Sequence, residues 1–289
     1  MVEFKKLMLP FVVLATCVLS ANSAAEDRTA QRVVTKVREY RAENELAILN
    51  ELFEFVAIPN VASDTENIER NAKHLVAMLE KRGLAAQILR ADGGSPAVYG
   101  ELNVPGAERT VVVYMHYDGQ PVNAEKWDSE PWQPVFRKPK GAKEIEPSNL
   151  QSPVDPEGRI YARSVSDDKA PIVAMLTAID ALQAADIPLS VNLKFFLEGE
   201  EEAGSPHLAE ILEKHKDLLS ADVWLFCDGP VHQRRRQQVV FGVRGVIGLS
   251  MTAYGAVRPL HSGHYGNWAP NPIVLLVHLL ASMRDPDGN

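Results

Sequence analysis

The run Thr110-Val111-Val112-Val113-Tyr114-Met115 constrains the fold more tightly than any other stretch of this 289-residue chain. A strand with one wet face alternates polar and apolar residues, whereas a strand covered on both faces reads as a continuous apolar run. Residues 110–115 are therefore expected to form a buried central strand, with His116 at its carboxyl end. Further strand-like runs lie at 85–89, 97–102, 190–197 and 222–227, and helical patterns at 45–57, 65–82, 168–184 and 205–219. In the first helical pattern Leu46, Leu49, Leu52, Phe53 and Val56 recur at helical spacing, and Gly83 stops the second. This order implies an α/β fold with a mostly parallel sheet flanked by helices. In open sheets of that kind ligands gather outside the carboxyl ends of the strands.

Four polar segments bear on that position: Met115-His116-Tyr117-Asp118, Ser166-Asp167-Asp168-Lys169, Glu200-Glu201-Glu202-Ala203-Gly204-Ser205 and Phe226-Cys227-Asp228-Gly229. Three of them follow a strand-like run, and carboxylates mixed with imidazole suit zinc or a similar divalent ion. His116 and Asp118 are two apart, so extended backbone points both side chains the same way. A carboxylate on the far N–H of a metal-binding imidazole fixes the tautomer, although an isolated His-x-Asp pair is more commonly an ordinary hydrogen bond. Asp167 and Asp168 open a helical pattern, where plain N-capping is the bland account. The functional account lets one aspartate bridge two cations about 3.5–4 Å apart. Three glutamates at the end of a buried strand repel one another unless cations or protons intervene. The Ala203-Gly204-Ser205 turn would hold two of them at the sheet edge, one binding metal while its neighbour takes a proton from water.

With 46% hydrophobic and 24% charged residues the chain is ordinarily globular, and its length suits one large domain or one and a half smaller ones. A formal net charge of -8 excludes nucleic acid as the main partner, which would need a basic surface. Arg234-Arg235-Arg236 reads as a solvated loop. Lys5 and Lys6, an apolar stretch over 7–19 and small residues through Ala25 have the anatomy of an export signal cleaved after Ala25. The mature protein is then expected to be periplasmic or secreted. The apolar stretch is too short for stable membrane insertion, and Thr16 fits poorly before Cys17 as a lipoprotein box. Cleavage leaves Cys227 alone, without a disulfide partner, as a buried small hydrophobe among Val223, Trp224, Leu225 and Phe226.

Residues 119–157 read as a long excursion over the surface near the site. Past Gln237 the pattern changes to strand-like runs at 239–243 and 246–254 with no helix between them, then an apolar helix over 272–284 opened by Pro272. The expected organisation is a signal peptide at 1–25, a catalytic domain at 26–237 and the start of a small α+β lid or dimerisation domain at 238–289. The closing Asp285-Pro286-Asp287-Gly288-Asn289 turn leaves that last domain unfinished.

Taken together, Met-His-Tyr-Asp-Gly-Gln-Pro at 115–121, Ser-Asp-Asp-Lys at 166–169, Glu-Gly-Glu-Glu-Glu-Ala-Gly-Ser at 198–205 and Leu-His-Ser-Gly-His-Tyr-Gly at 260–266 resemble a known family. It is that of the zinc-dependent exopeptidases and amide hydrolases, which includes carnosinase-type dipeptidases, glutamate carboxypeptidase, aminoacylases and succinyl-diaminopimelate desuccinylase. The dipeptidase branch is the most similar, and the resemblance runs from about residue 45 to the end. It implies a site for two Zn2+, with Mn2+ or Co2+ as alternatives. His116 and Asp228 would bind one ion, Glu202 the other, and Asp167 would bridge both. Glu201 would be the general base, Asp118 would orient His116, and the peptide bond after Asp167 would be cis. His261, otherwise a turn histidine beside Ser262-Gly263, would stabilise the oxyanion across a domain or dimer interface. The substrate would be a small peptide or, as the rival within hydrolases, an N-acyl amino acid, and a complete lid domain would make a homodimer. Two departures, at Tyr161-Ala162-Arg163-Ser164 and Ala170-Pro171, touch loop backbone where glycine is usual. The family's last metal ligand is a histidine farther downstream than Asn289, for which His264 and His278 are poor substitutes. The expectation is a di-zinc dipeptidase or carboxypeptidase by family, weakly metallated and poorly active as this chain stands. The reading from another class is a non-catalytic peptide binder or an inactive truncated chain.

Overall fold

The computed structural model describes residues 29–138, 144–229 and 232–287. Its elements run α1 (residues 29–43), α2 (Glu45–Val56), α3 (Thr65–Glu80), β1 (Ala85–Leu89), β2 (Ala97–Leu102), β3 (Thr110–His116), β4 (Val135–Arg137), β5 (Arg159–Tyr161), α4 (Ala170–Ala184), β6 (Asn192–Glu198), α5 (Leu208–Lys214), β7 (Val223–Phe226), α6 (Ser262–Tyr265) and α7 (Pro272–Ser282). The chain divides into two units, residues 1–230 and 231–289, earlier than the boundary expected after Gln237. The export signal expected at 1–25 lies outside the described residues. Among the described residues no helix is long and apolar enough to cross a membrane.

In the first unit a five-stranded sheet has the order β1-β2-β6-β3-β7. β3 is parallel to both β6 and β7, while β2 is antiparallel to β6 and to β1, so only β2 runs against the other four. Alternation along the continuous apolar run feeds two cores. Val113 and Met115 pack with Phe55, Leu75, Leu79, Ile172 and Leu176 from α2, α3 and α4. Val112 and Tyr114 pack on the other face with Tyr99, Phe196, Ile211 and Leu219. Each fully buried aliphatic side chain contributes roughly 2 kcal/mol relative to exposure, so the apolar run 111–113 is stabilised by cover on both faces. Cys227 is a free, half-buried thiol packed against the first core.

Several boundaries differ from expectation for identifiable reasons. α4 starts at Ala170, because Asp167 (φ -131°, ψ 87°) and Asp168 (φ -133°, ψ 24°) are non-helical within a kinked segment, Val165–Lys169, and the peptide between them is cis. The two aspartates therefore do not open a helix. α5 is shorter than the 205–219 pattern: Gly204 and Ser205 are left-handed (φ 88° and 50°), and Pro206 disfavours helical backbone before it. The excursion after Gly119 contains an unforeseen hairpin, β4 with β5, that buries Val135 and Phe136. The strands expected at 239–243 and 246–254 are absent among the described residues of the second unit. There Phe241 and Val246 lie almost fully exposed, and extended backbone without a neighbouring ladder leaves its N–H and C=O groups to water. α7 does form, with Asn271 Oδ1 accepting from Ile273 N (2.9 Å) and Val274 N (3.4 Å).

Candidate metal centre

His116 ends β3, and its ring is completely buried. Its Nε2 lies 2.9 Å from Asp167 Oδ1, 3.8 Å from Asp228 Oδ2 and 4.0 Å from Glu201 Oε2. Asp167 comes from the kink before α4, Glu201 from the turn after β6, and Asp228 from just beyond β7. Three separate chain segments therefore converge on one imidazole at the carboxyl ends of parallel strands. The carboxylates sit at the rim, with side chains 63%, 37% and 37% exposed for Asp167, Glu201 and Asp228, so the ring is a floor and the acids an opening to solvent.

Asp118 is fully buried two residues on, 3.4 Å from His116 Nδ1, at ion-pair range but outside good hydrogen-bond geometry. Its firmer contacts are with backbone: Oδ1 accepts from Glu201 N and Oδ2 from Glu202 N, both at 3.0 Å. Asp118 thus pins the short helical turn Glu201–Ala203, which Gly204 ends in a left-handed conformation that costs glycine little. The three adjacent glutamates separate from there. Glu201 faces the His116 ring. Glu202 Oε2 accepts from Gln120 Nε2 (2.7 Å). Glu200 is buried and accepts from Ser95 N (3.1 Å), His207 N (2.8 Å) and the His207 ring (3.1 Å), which ties the turn to the β1–β2 connection.

Sequence reasoning did not single out Glu200, Asp168, Gln120 or Asn60. Asp168 is buried, and its Oδ2 accepts from His116 N at 3.3 Å. Asn60 Nδ2 donates to Tyr117 O (2.7 Å), and the Asn60 main-chain carbonyl accepts from Gly119 N (2.8 Å). Gly119 is required there, since a Cβ would fall 2.0 Å from Ser164 Oγ. The excess of acids over bases around Asp168 was legible as a charge imbalance. Asn60, distant in sequence and bonded to backbone at Tyr117 and Gly119 as well as to the Trp132 and Ser164 side chains, left no signal.

The electrostatics report a shortage of positive charge. Burial disfavours the imidazolium of His116, but Asp118, Asp168 and Glu201 outweigh it and push the pKa up to about 10. Burial raises the Asp168 carboxyl to about 8, with Asp228 and Asp167 adding to the rise and His116 opposing it. Glu201 is raised by burial first, with Asp228, Glu202 and Asp118 reinforcing and His116 opposing. Such a cluster holds either protons or a cation. His116, Asp167 and Asp228 each offer one ligand atom, all within 4.8 Å of one another, and one nitrogen with carboxylate oxygens is a donor set that fits zinc, manganese or cobalt. Glu202, expected as a ligand of a second ion, is outside this group. His261 belongs to the second unit, where it stands at the N-cap of α6 and its Nδ1 accepts from Gly263 N at 3.0 Å.

Residues 112–261 match the model of Peptidase family M20/M25/M40. The chain belongs to that family. The matched span contains His116, Asp118, Asp167, Glu201, Glu202, Asp228 and His261. This M20-family chain is 28% identical over 250 residues to the Cys-Gly metallodipeptidase dug1 of Schizosaccharomyces pombe, covering 81% of itself and 48% of that protein. It is 30% identical over 197 residues to the human Beta-Ala-His dipeptidase, covering 67% and 35% respectively. Among solved structures it resembles the M20 family metallo-carboxypeptidase Sso-CP2 of Sulfolobus solfataricus, with TM-score 0.64, 30% identity, and coverage of 84% of this chain and 51% of that one. The chain spans about half or less of the length of these relatives.

Proposed function

We propose that this M20-family chain carries the hydrolytic site of a metal-dependent dipeptidase or carboxypeptidase acting on small peptides. The supporting observation is the convergence of Asp167, Asp228 and Glu201 on the buried His116 ring, in a cluster short of positive charge. Dipeptidase action is named in two relatives and carboxypeptidase action in a third, and peptidase action is what those names share. His116, Asp167 and Asp228 would hold one zinc, and Glu202 would serve a second that shares Asp167. A bound divalent ion supplies Lewis acidity and makes water acidic enough to act as nucleophile near neutral pH.

The protein's own groups divide the remaining tasks. His116 and Asp118, both buried, fix the floor and the turn carrying the glutamates. Glu201, half-exposed and with its pKa raised, would take a proton from the attacking water and return it to the leaving amine as the amide C–N bond breaks. Glu201→Gln should keep bound metal while lowering peptide hydrolysis by roughly 10²- to 10⁴-fold, measured by amine release alongside metal analysis. Hydrolysis at the wild-type rate would remove Glu201 from this role.

The proposal includes export. Residues 1–25 have the basic start, apolar middle and small-residue end of a cleaved signal. N-terminal sequencing of protein recovered outside the cytoplasm should begin at Glu26, and an intact Met1 start would count against cleavage.

A further inference from the structure

Lys169 is the last residue of the kinked segment that carries Asp167 and Asp168, and its side chain is completely buried. Its Nζ donates to Phe55 O (2.8 Å), Ile58 O (2.9 Å) and Asn71 Oδ1 (2.8 Å), and lies 4.4 Å from the centre of the Phe55 ring. Three oxygens match the three N–H donors of an ammonium. Two of them are carbonyls at the carboxyl end of α2, where the helix dipole favours a cation. Burial pushes the Lys169 pKa well down, and hydrogen bonds to the charged form pull the other way. The third acceptor is equally fixed. Asn71 Nδ2 donates to Pro59 O (2.8 Å) and Asn67 O (2.7 Å), which leaves its Oδ1 for Lys169.

The stretch over 55–61 that receives Lys169 also supports the exit of β3. Asn60 bonds Tyr117 O and Gly119 N, and Val61 bridges Gly119. One short connection therefore touches both ligand-bearing segments: the His116–Asp118 stretch through Asn60 and Val61, and the Asp167–Asp168 kink through Lys169. Neither Lys169 nor Asn60 reaches the cluster around His116 Nε2 as a ligand.

We propose that Lys169 is a positioning residue, which sets the separation of His116 and Asp167, and hence metal affinity, by tying the kink to residues 55–61. The proposal rests on the metal-centre reading above. Lys169→Met keeps chain length and removes the donors. Zn2+ affinity by chelator competition should weaken by about 10- to 100-fold, the scale at which groups supporting metal ligands act. The visible absorption of the Co2+-loaded variant should shift as the ligand geometry relaxes. Leu219→Ala, in the core on the other face of the sheet, lowers stability away from residues 55–61 and should leave affinity and spectrum unchanged. Should Lys169→Met not fold, Asn71→Leu removes one acceptor and should weaken Zn2+ binding in the same direction. Wild-type affinity in the variant that folds, or an equal loss in Leu219→Ala, overturns the proposal. If the unaltered chain binds no Zn2+, the metal-centre reading falls with it; if only the variant is unaffected, that reading stands and this one fails.

Discussion

Asp118 accepts one backbone N–H on each carboxylate oxygen, from Glu201 and Glu202, and so joins the end of β3 to the turn after β6. Hydrogen bonds to a buried charged group are worth about 1.5–3 kcal/mol each. Asp118→Asn preserves shape but turns an N–H2 toward one of the two donors, and should lower unfolding stability in urea by about 2 kcal/mol. It should also loosen the turn that aims Glu201, so hydrolysis should fall even where metal is retained. The motifs and the family resemblance drew attention to His116, Asp167, Glu201 and Asp228, and the fold brings these four side chains together. The partners of Asp118 were not legible in the sequence, since a backbone N–H carries no residue identity. Glu201 was singled out from Glu200 by the family resemblance alone, because which glutamate turns inward depends on the dihedrals of one tight turn.

His74 on α3 stacks on Phe55 of α2 with ring centroids 5.5 Å apart, and its Nε2 is buried without a hydrogen-bond partner. Burial, then Lys169, lowers its pKa, with Glu54 and Glu51 opposing. Below the ordinary histidine value of 6.5 the unfolded chain takes up a proton that the folded chain refuses, so stability present above that pH is lost as pH falls. Wild type should therefore lose more stability than His74→Phe between pH 7.5 and pH 5.5 (about one unit either side of the free value), read from urea midpoints. An identical pH response in the two proteins would show that His74 does not titrate across the α2–α3 contact. At this scale β1 and β2 were readable because each is a short strand-like run bounded by local turn residues. The hairpin β4–β5 was missed because three-residue strands carry too few positions to show a period. The 239–254 stretch was misjudged because strand character depends on a neighbour as much as on its own residues.

Across the molecule, the alternation of strands and helices foretold a mostly parallel sheet with both faces covered, and the family likeness followed from the order of four motifs. Strand order was out of reach, since two sheets with the same elements in a different order present the same hydrophobic pattern. β6 is the middle strand, paired with β2 on one side and β3 on the other, although both are far earlier in the chain and do not pair with each other. On a ribosome, which releases the chain from its amino end, β2 and β3 emerge first with their facing edges unmatched. Only the arrival of residues 192–198 joins them, and the same event carries Glu201 to the waiting ring of His116. Joining β2 to β3 and delivering Glu201 are therefore one step in the life of the nascent chain, and β7 with Asp228 follows it onto the free edge of β3.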